Sequence, residues 1–277
     1  MKSFINVITY LVAFLLLQTL ATMLVAAGWV LYQGEPLKTA LQSSLDHLQN
    51  FNGQSMIFII ASACASLLTI VVFLLARWSP FSRTYIRTRP WTALTWIVLL
   101  GCGTIIPSIW LQEKLGAELP PEMLKMLEYV MKHPAGYLVL AILAPLAEEM
   151  VFRGAILREL LGRFHRQWHW IPILISALLF GAVHGNLAQF FHATLLGLLL
   201  GWMYYRTDSI VPGLVLHWVN NTIVYVATNL LPQASGSTLL ELFGGNQRAV
   251  WLALGCSMCI FLPSLFQVAL RLRKSRP

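Results

Sequence analysis

Three short polar clusters interrupt long apolar stretches of this 277-residue sequence. Within each cluster the polar or aromatic side chains recur at helical spacing: Glu148-Glu149-xxx-Arg153, Phe180-xxx-His184 and His217-xxx-Asn221. Ionisable groups are costly inside a membrane and therefore mark candidate functional sites. Carboxylates and imidazoles transfer protons in hydrolysis, and imidazole and amide N–H groups can stabilise an oxyanion. The residue types thus indicate acid–base chemistry within a membrane.

The first cluster places two carboxylates in different settings. Glu149 and Arg153 are four residues apart, so on a helix they share one face and can neutralise each other. Glu148 is rotated by about 100° and presents to another surface. Without a cationic partner, Glu148 is the candidate general base. The alternative is that both glutamates pack Arg153 in a purely structural network.

His217 and Asn221 are also four residues apart and can direct two hydrogen-bond donors at one point, as oxyanion stabilisation requires. The alternative for this pair is a hydrogen bond between helices. Asn220 faces another direction and is predicted to make such an interhelical contact. His192 is predicted to be structural, and a lone His184 could equally donate to a neighbouring carbonyl.

The elements that must position these residues are apolar runs long enough to cross a bilayer, about 20 residues each. Eight such runs are predicted, at approximately 5–32, 56–76, 91–111, 136–157, 170–186, 188–206, 210–231 and 249–270. The predicted fold class is therefore an all-α polytopic membrane protein with about eight transmembrane helices. The fourth to seventh spans form its predicted catalytic four-helix core. Gly197 and Gly201, at GxxxG spacing, are predicted to pack helices.

The composition excludes a soluble domain. Hydrophobic residues make up 57% of the chain and charged residues 11%, with a mean hydropathy of +0.69, whereas soluble domains average about 45–50% and 25%. The same values exclude an intrinsically disordered chain. All four cysteines lie inside apolar runs, so we expect neither a disulfide framework nor a metal or redox role for Cys256 and Cys259.

Charge is distributed unevenly between the two sides of the predicted spans. With the N-terminus inside, one face carries 13 basic and 2 acidic residues, and the other carries 5 basic and 7 acidic residues. The positive-inside rule then makes the basic face cytoplasmic, with both termini on that side. This arrangement suits a bacterial inner membrane and indicates no nucleic-acid partner. Residues 112–135 are predicted to be an external amphipathic helix, and residues 232–248 an external loop.

In this order and on successive membrane helices, the three clusters resemble the signature of the CAAX protease and bacteriocin-processing family of intramembrane glutamic endopeptidases. The resemblance covers residues 136–231. It divides the chain into N-terminal transmembrane helices with the external amphipathic segment (1–135), this protease-like core, and a loop, last span and basic tail (232–277). It implies hydrolysis of a membrane-bound protein or peptide. A prenylated substrate and a peptide precursor both remain open, as does the oligomeric state.

The resemblance also implies a role for each polar residue: Glu148 and His184 activate a water molecule, His217 and Asn221 line the oxyanion site, Glu149 and Arg153 form a supporting pair, and Phe180 packs beside the site. It implies no cofactor. Zinc held by Glu148, His184 and His217 is the alternative. A non-catalytic scaffold or bacteriocin self-immunity factor and a proton-coupled transporter are the alternative functions.

The predicted depths of these residues conflict. At 1.5 Å per residue, Glu149 and His217 lie roughly 10–12 Å from the cytoplasmic ends of their spans, and His184 lies about 20 Å from that end of the fifth span. The three can meet only if the fourth helix extends past Arg158, or if the fifth span is tilted or starts deep in the membrane.

Overall fold

The computed structural model describes residues 2–34, 36, 38, 55–80, 83–231 and 237–273. These residues are mostly helical and contain no β-strand. Their helices, in chain order, are α1 Lys2–Tyr32, α2 Ser55–Leu75, α3 Arg83–Arg87, α4 Trp91–Lys114, α5 Pro121–Lys132, α6 Pro134–Leu161, α7 Trp170–Ala182, α8 Leu187–Thr207, α9 Val211–Leu230, α10 Leu239–Leu242 and α11 Gln247–Arg271.

Six of these helices are long and apolar enough to cross a membrane, namely α1, α2, α4, α6, α8 and α11. Apolar runs of this length fold as helices because hydrocarbon offers no partner for backbone N–H and C=O groups, which must bond within the segment. The predicted fold class, an all-α polytopic membrane protein, is confirmed.

The predicted fifth span, 170–186, is too long. Helix α7 ends at Ala182, and its 13 residues reach only about 20 Å, less than the roughly 30 Å of bilayer hydrocarbon. Gly185 takes a φ of 72° in the turn that follows, and the Asn186 side chain then caps α8 by accepting the Gln189 backbone N–H at 2.9 Å. Helix α9 has 20 residues but is not among the six helices that are long and apolar enough to cross a membrane. The count of eight spans stays a prediction.

Helix α6 carries both glutamates on a short α-helical segment, Ala144–Glu149, between two π-helical stretches, Leu138–Leu143 and Met150–Leu157. Pro145 lies in the first turn of the α-helical segment and has no N–H to donate to the preceding turn. Wider π turns inside α-helices are frequent at functional sites. The glutamates therefore lie on the most irregular of the long helices.

A side chain from a neighbouring helix binds a backbone carbonyl in each π-helical stretch. The Asn221 amide of α9 donates to the Leu140 carbonyl at 2.8 Å. The buried Ser176 hydroxyl of α7 donates to the Phe152 carbonyl at 2.9 Å. These two hydrogen bonds fix the segment that carries the glutamates from both ends.

Small residues bring α7 and α8 together. A Cβ atom at Gly197 would lie 3.0 Å from the Ala177 Cβ, and one at Gly201 would lie 3.0 Å from the Ile173 Cγ2. A side chain at either glycine would require the facing residue of α7 to shift by a few tenths of an ångström. The predicted packing role of the GxxxG pair is confirmed.

The length of α6 resolves the predicted difference in depth between the glutamates and His184. Helix α6 continues to Leu161, so Glu148 lies 13 residues from that end, about 20 Å. His184 lies 14 residues after the start of α7, about 21 Å. Helix α9 begins after Ser209 and Ile210, which are both buried, so its first turn already lies inside the protein.

The predicted amphipathic helix within 112–135 is present as α5, where the Asn229 amide of α9 donates to the Met131 carbonyl at 2.9 Å. The predicted loop 232–248 is wrong in part, because it contains α10, whose start is capped by reciprocal hydrogen bonds between Thr238 and Glu241. Residues 232–236 lie outside the described residues.

Candidate active site

Glu149 and Arg153 form a fully buried ion pair within α6. The Glu149 Oε1 lies 2.9 Å from the Arg153 Nη1, and both side chains are 0% exposed. Each charge compensates the other, since a lone buried charge would be strongly destabilising. Gly213 of α9 makes room for the carboxylate, because a Cβ there would lie 2.8 Å from the Glu149 Oε2. The pairing expected from the four-residue spacing is present.

Arg153 is also held by α7 and α8. Its Nη2 donates to the Gly197 carbonyl at 3.2 Å, and its Cζ lies 4.5 Å from the centroid of the Phe180 ring. A guanidinium over an aromatic face is attracted by the ring's negative face. The ion pair therefore ties three helices together.

Glu148 lies outside this ion pair. Its side chain is 21% exposed, and its Oε2 lies 3.6 Å from the His217 Nε2. The two glutamates of α6 therefore differ in both partner and exposure.

His217 of α9 lies between the two carboxylates. Its Nδ1 is 3.4 Å from the Glu149 Oε1, on the side opposite the Nε2 that faces Glu148. Both distances exceed the usual hydrogen-bond range of about 2.7–3.2 Å. Neither the His217 Nδ1 nor the Glu149 Oε2 has a hydrogen-bond partner among the described residues, which is unusual for buried polar atoms. The site therefore has unused hydrogen-bonding capacity.

Phe180 connects the two histidines of the predicted site. The His184 and His217 ring centroids lie 5.2 and 5.6 Å from that of Phe180, and both rings meet it edge to face. The His184 Nδ1 lies 2.9 Å from the Phe180 carbonyl oxygen, which leaves the Nε2 free of that contact. Within the described ranges, no carboxylate oxygen lies within 4.0 Å of a His184 ring nitrogen. His184 is thus beside the site but not in direct contact with Glu148.

Asn221 uses part of its amide to bind α6. Its Nδ2 donates to the Leu140 carbonyl, and its Oδ1 accepts from the Asn220 Nδ2 at 3.1 Å. An amide nitrogen has two hydrogens, so one remains for another acceptor. The interhelical hydrogen bond offered as an alternative for Asn221 is present, and its oxyanion role stays a prediction.

Three polar contacts around the site involve partners that the sequence did not indicate. The Ser176 hydroxyl binds the Phe152 carbonyl, the Ser108 Oγ lies 2.8 Å from the His192 Nδ1, and the Asn220 Nδ2 lies 3.4 Å from the His192 Nε2. The interhelical contact predicted for Asn220 is confirmed. The serines gave no signal, because a single serine in an apolar helix commonly bonds to its own backbone.

No group of three His, Cys, Asp or Glu side chains in the described part of the chain is arranged to hold a metal ion. Glu148 and His217 are close to each other, whereas the His184 ring nitrogens lie more than 4.0 Å from every carboxylate oxygen of the described residues. Zinc ligation by these three residues would require His184 to move.

Residues 131–223 match a family model described as "Type II CAAX prenyl endopeptidase Rce1-like". This segment is about a third of the chain and contains all seven predicted site residues. This segment is therefore similar to the CAAX protease family. The matching segment runs from the end of α5 to the middle of α9, close to the predicted 136–231.

One curated relative of the chain is a Bacillus subtilis (strain 168) protein named "Putative membrane peptidase YdiL", which is 29% identical over 100 residues. The match covers 36% of this chain and 40% of the relative. No solved structure matches the chain.

Proposed function

We propose that the protein is an intramembrane endopeptidase that hydrolyses a peptide bond in a membrane-associated substrate. The observation that carries this proposal is the unequal pair in α6, where Glu149 is neutralised by a buried arginine while the partly exposed Glu148 faces His217. A carboxylate that is free of a fixed cation and partly exposed can act as a base. The family match and the name of the relative support peptidase activity.

In the first step, Glu148 takes a proton from a water molecule, and the water oxygen attacks the carbonyl carbon of the substrate peptide. The carbonyl π electrons move onto its oxygen, which gives a tetrahedral oxyanion. The His184 Nε2, free of the Phe180 carbonyl, would orient the water. A positioned base of this kind typically contributes a factor of about 10²–10⁴ in rate.

The oxyanion would be stabilised from α9. The His217 Nε2 faces the space beside Glu148, and Asn221 keeps one amide hydrogen after binding the Leu140 carbonyl. Donors fixed in advance at the position of a developing negative charge lower the barrier without reorganisation.

In the second step, the oxyanion collapses and the C–N bond breaks. Glu148 returns its proton to the leaving nitrogen, so the products are a carboxylic acid and an amine and the base is regenerated. The Glu149–Arg153 pair holds α6 in place and takes no proton. No metal or cofactor has a step in this scheme.

The proposed substrate is a membrane-bound polypeptide, either a prenylated protein or a peptide precursor. Proteomic comparison of membranes carrying the wild type or Glu148→Gln would identify it as a peptide cut only by the wild type. Glu122→Gln, a change at an exposed glutamate of α5, is the matched control and should cut normally. If the Glu148→Gln protein reaches the membrane and retains full biological function, the protein is a scaffold or immunity factor instead.

We also propose a bacterial inner-membrane location with both termini in the cytoplasm. In a background with the four native cysteines replaced by serine, an impermeant thiol reagent added outside should label Glu122→Cys and should not label Arg87→Cys. The charge asymmetry of the loops supports this orientation. Labelling only at position 87 would invert the topology.

A further inference from the structure

A series of hydrogen-bonded polar groups, partly or fully buried, extends from Asn221 away from the proposed site. Asn221 binds Asn220, which lies 3.4 Å from the His192 Nε2, and the His192 Nδ1 lies 2.8 Å from the Ser108 Oγ. Asn220 is only 3% exposed. The series begins at the Leu140 carbonyl and crosses helices α6, α9, α8 and α4.

The direction of every hydrogen bond in this series follows from the bond between Asn221 and the Leu140 carbonyl. A backbone carbonyl can only accept, so Asn221 must present its NH₂ group to Leu140 and its oxygen to Asn220. Asn220 must then present its own NH₂ group to the Asn221 oxygen. The second hydrogen of that group faces the His192 Nε2, which is therefore the acceptor.

This series of hydrogen bonds selects one tautomer and one protonation state of His192. A neutral imidazole with an unprotonated Nε2 carries its hydrogen on Nδ1, which donates to the Ser108 hydroxyl oxygen. An imidazolium, or the opposite tautomer, would place an N–H against the Asn220 NH₂ group. Two donors facing each other in a buried setting without an acceptor are destabilising.

We propose that Asn220 and His192 are positioning residues that orient the Asn221 amide for the reaction, with His192 neutral and protonated on Nδ1. This inference rests on the proposed function, because Asn221 acts there on the oxyanion. Without Asn220 to occupy its oxygen, the Asn221 amide could rotate and lose the Leu140 hydrogen bond. His192 fixes Asn220 in turn, and Ser108 fixes His192.

The structural part of the proposal can be measured without any substrate. ¹⁵N NMR of histidine-labelled wild-type protein, with the His192 signals assigned by their loss in His192→Gln, should show an unprotonated Nε2 and a protonated Nδ1. The Asn221 side-chain amide should exchange its hydrogens slowly in the wild type and at least tenfold faster in His192→Leu. A His192 imidazolium, the opposite tautomer, or unchanged exchange would each overturn the proposal.

The catalytic part uses the peptide identified with the Glu148→Gln comparison. His192→Leu should lower kcat about tenfold with little change in KM, whereas His192→Gln, which keeps an acceptor for Asn220, should recover most of the rate. In an Asn221→Ala background, His192→Leu should have no further effect, because residues that act through one group are not additive. Independent, multiplying losses would overturn the positioning role.

The two proposals can fail separately. If wild-type membranes cut no peptide that Glu148→Gln membranes leave intact, the proposed function fails. The NMR and exchange results still decide the directions of the hydrogen bonds between Leu140 and Ser108. If cleavage depends on Glu148 but the double variant shows independent losses, only the positioning role fails.

Discussion

The neighbouring glutamates of α6, Glu149 and Glu148, lie in two contrasting environments. On one side Glu149 is fully buried, paired with Arg153 and packed against Gly213. On the other, Glu148 is partly exposed and faces a histidine at 3.6 Å, too far for a normal hydrogen bond. The comparison teaches that one helix can give neighbouring carboxylates different partners and different exposure. In the proposed mechanism, Glu149 with its fixed cation is structural, and the more loosely held Glu148 exchanges a proton.

The largest expected effect lies on the buried side. Arg153→Ala leaves Glu149 without a cation in a low-dielectric interior, and breaking a buried pair costs about 3–5 kcal/mol. We expect a strong loss of folded protein in the membrane, measured by immunoblotting and by thermal unfolding in detergent. Arg248→Ala, at an exposed position in α11, is the control and should be neutral. A normally abundant and active Arg153→Ala protein would show that the pair contributes little.

Around Glu148 the expected effect of substitutions is on the cleavage rate rather than on stability. His217→Ala and Asn221→Ala should each reduce kcat by a factor of about 10²–10³ if their N–H groups serve the oxyanion, with KM little changed. Single-turnover cleavage of the identified peptide would measure this. A rise in KM at constant kcat would mean that these residues bind the substrate and do not stabilise the transition state.

A smaller effect, on stability, is expected at Ser176 of α7, which binds the second π-helical stretch of α6. Ser176→Ala removes the hydroxyl that donates to the Phe152 carbonyl in the second π-helical stretch, and the loss of one such hydrogen bond costs about 0.5–1.5 kcal/mol. Thermal unfolding should show this loss, and the cleavage rate per folded molecule should stay within a few-fold of the wild type. Ser176→Cys, a closer match in size, should fall between. A catalytic defect without a loss of stability would mean that Ser176 takes part in the site directly.

Much of the fold could be predicted because bilayer thickness sets the length of an apolar run. Helices α4 and α11 begin or end within three residues of the predicted spans. The predicted fifth span ran through the turn at Gly185, although Gly-Asn is a turn signal in the sequence. The π-helical stretches of α6 were not predicted, and each accepts a hydrogen bond from a side chain of another helix.

In the site, contacts within one helix could be predicted from the sequence, and contacts between helices could not. The Glu149–Arg153 pair follows from four-residue spacing on one helix. The position of His217 between both carboxylates depends on how α9 packs against α6, which no local pattern contains. The Leu140 partner of Asn221 could not be predicted, because the acceptor is a backbone carbonyl on a helix that is distant in sequence.

The most direct test compares Glu148→Gln with Glu149→Gln in purified protein, scoring cleavage of the identified peptide per folded molecule together with zinc content. We expect Glu148→Gln to fold normally and to lose a factor of about 10²–10⁴ in rate or more. Glu149→Gln should fold poorly, while its folded fraction cleaves faster than Glu148→Gln. Near-wild-type cleavage by Glu148→Gln would contradict its role as the base. Stoichiometric zinc, with activity lost on chelation and restored by zinc, would instead make Glu148, His184 and His217 metal ligands.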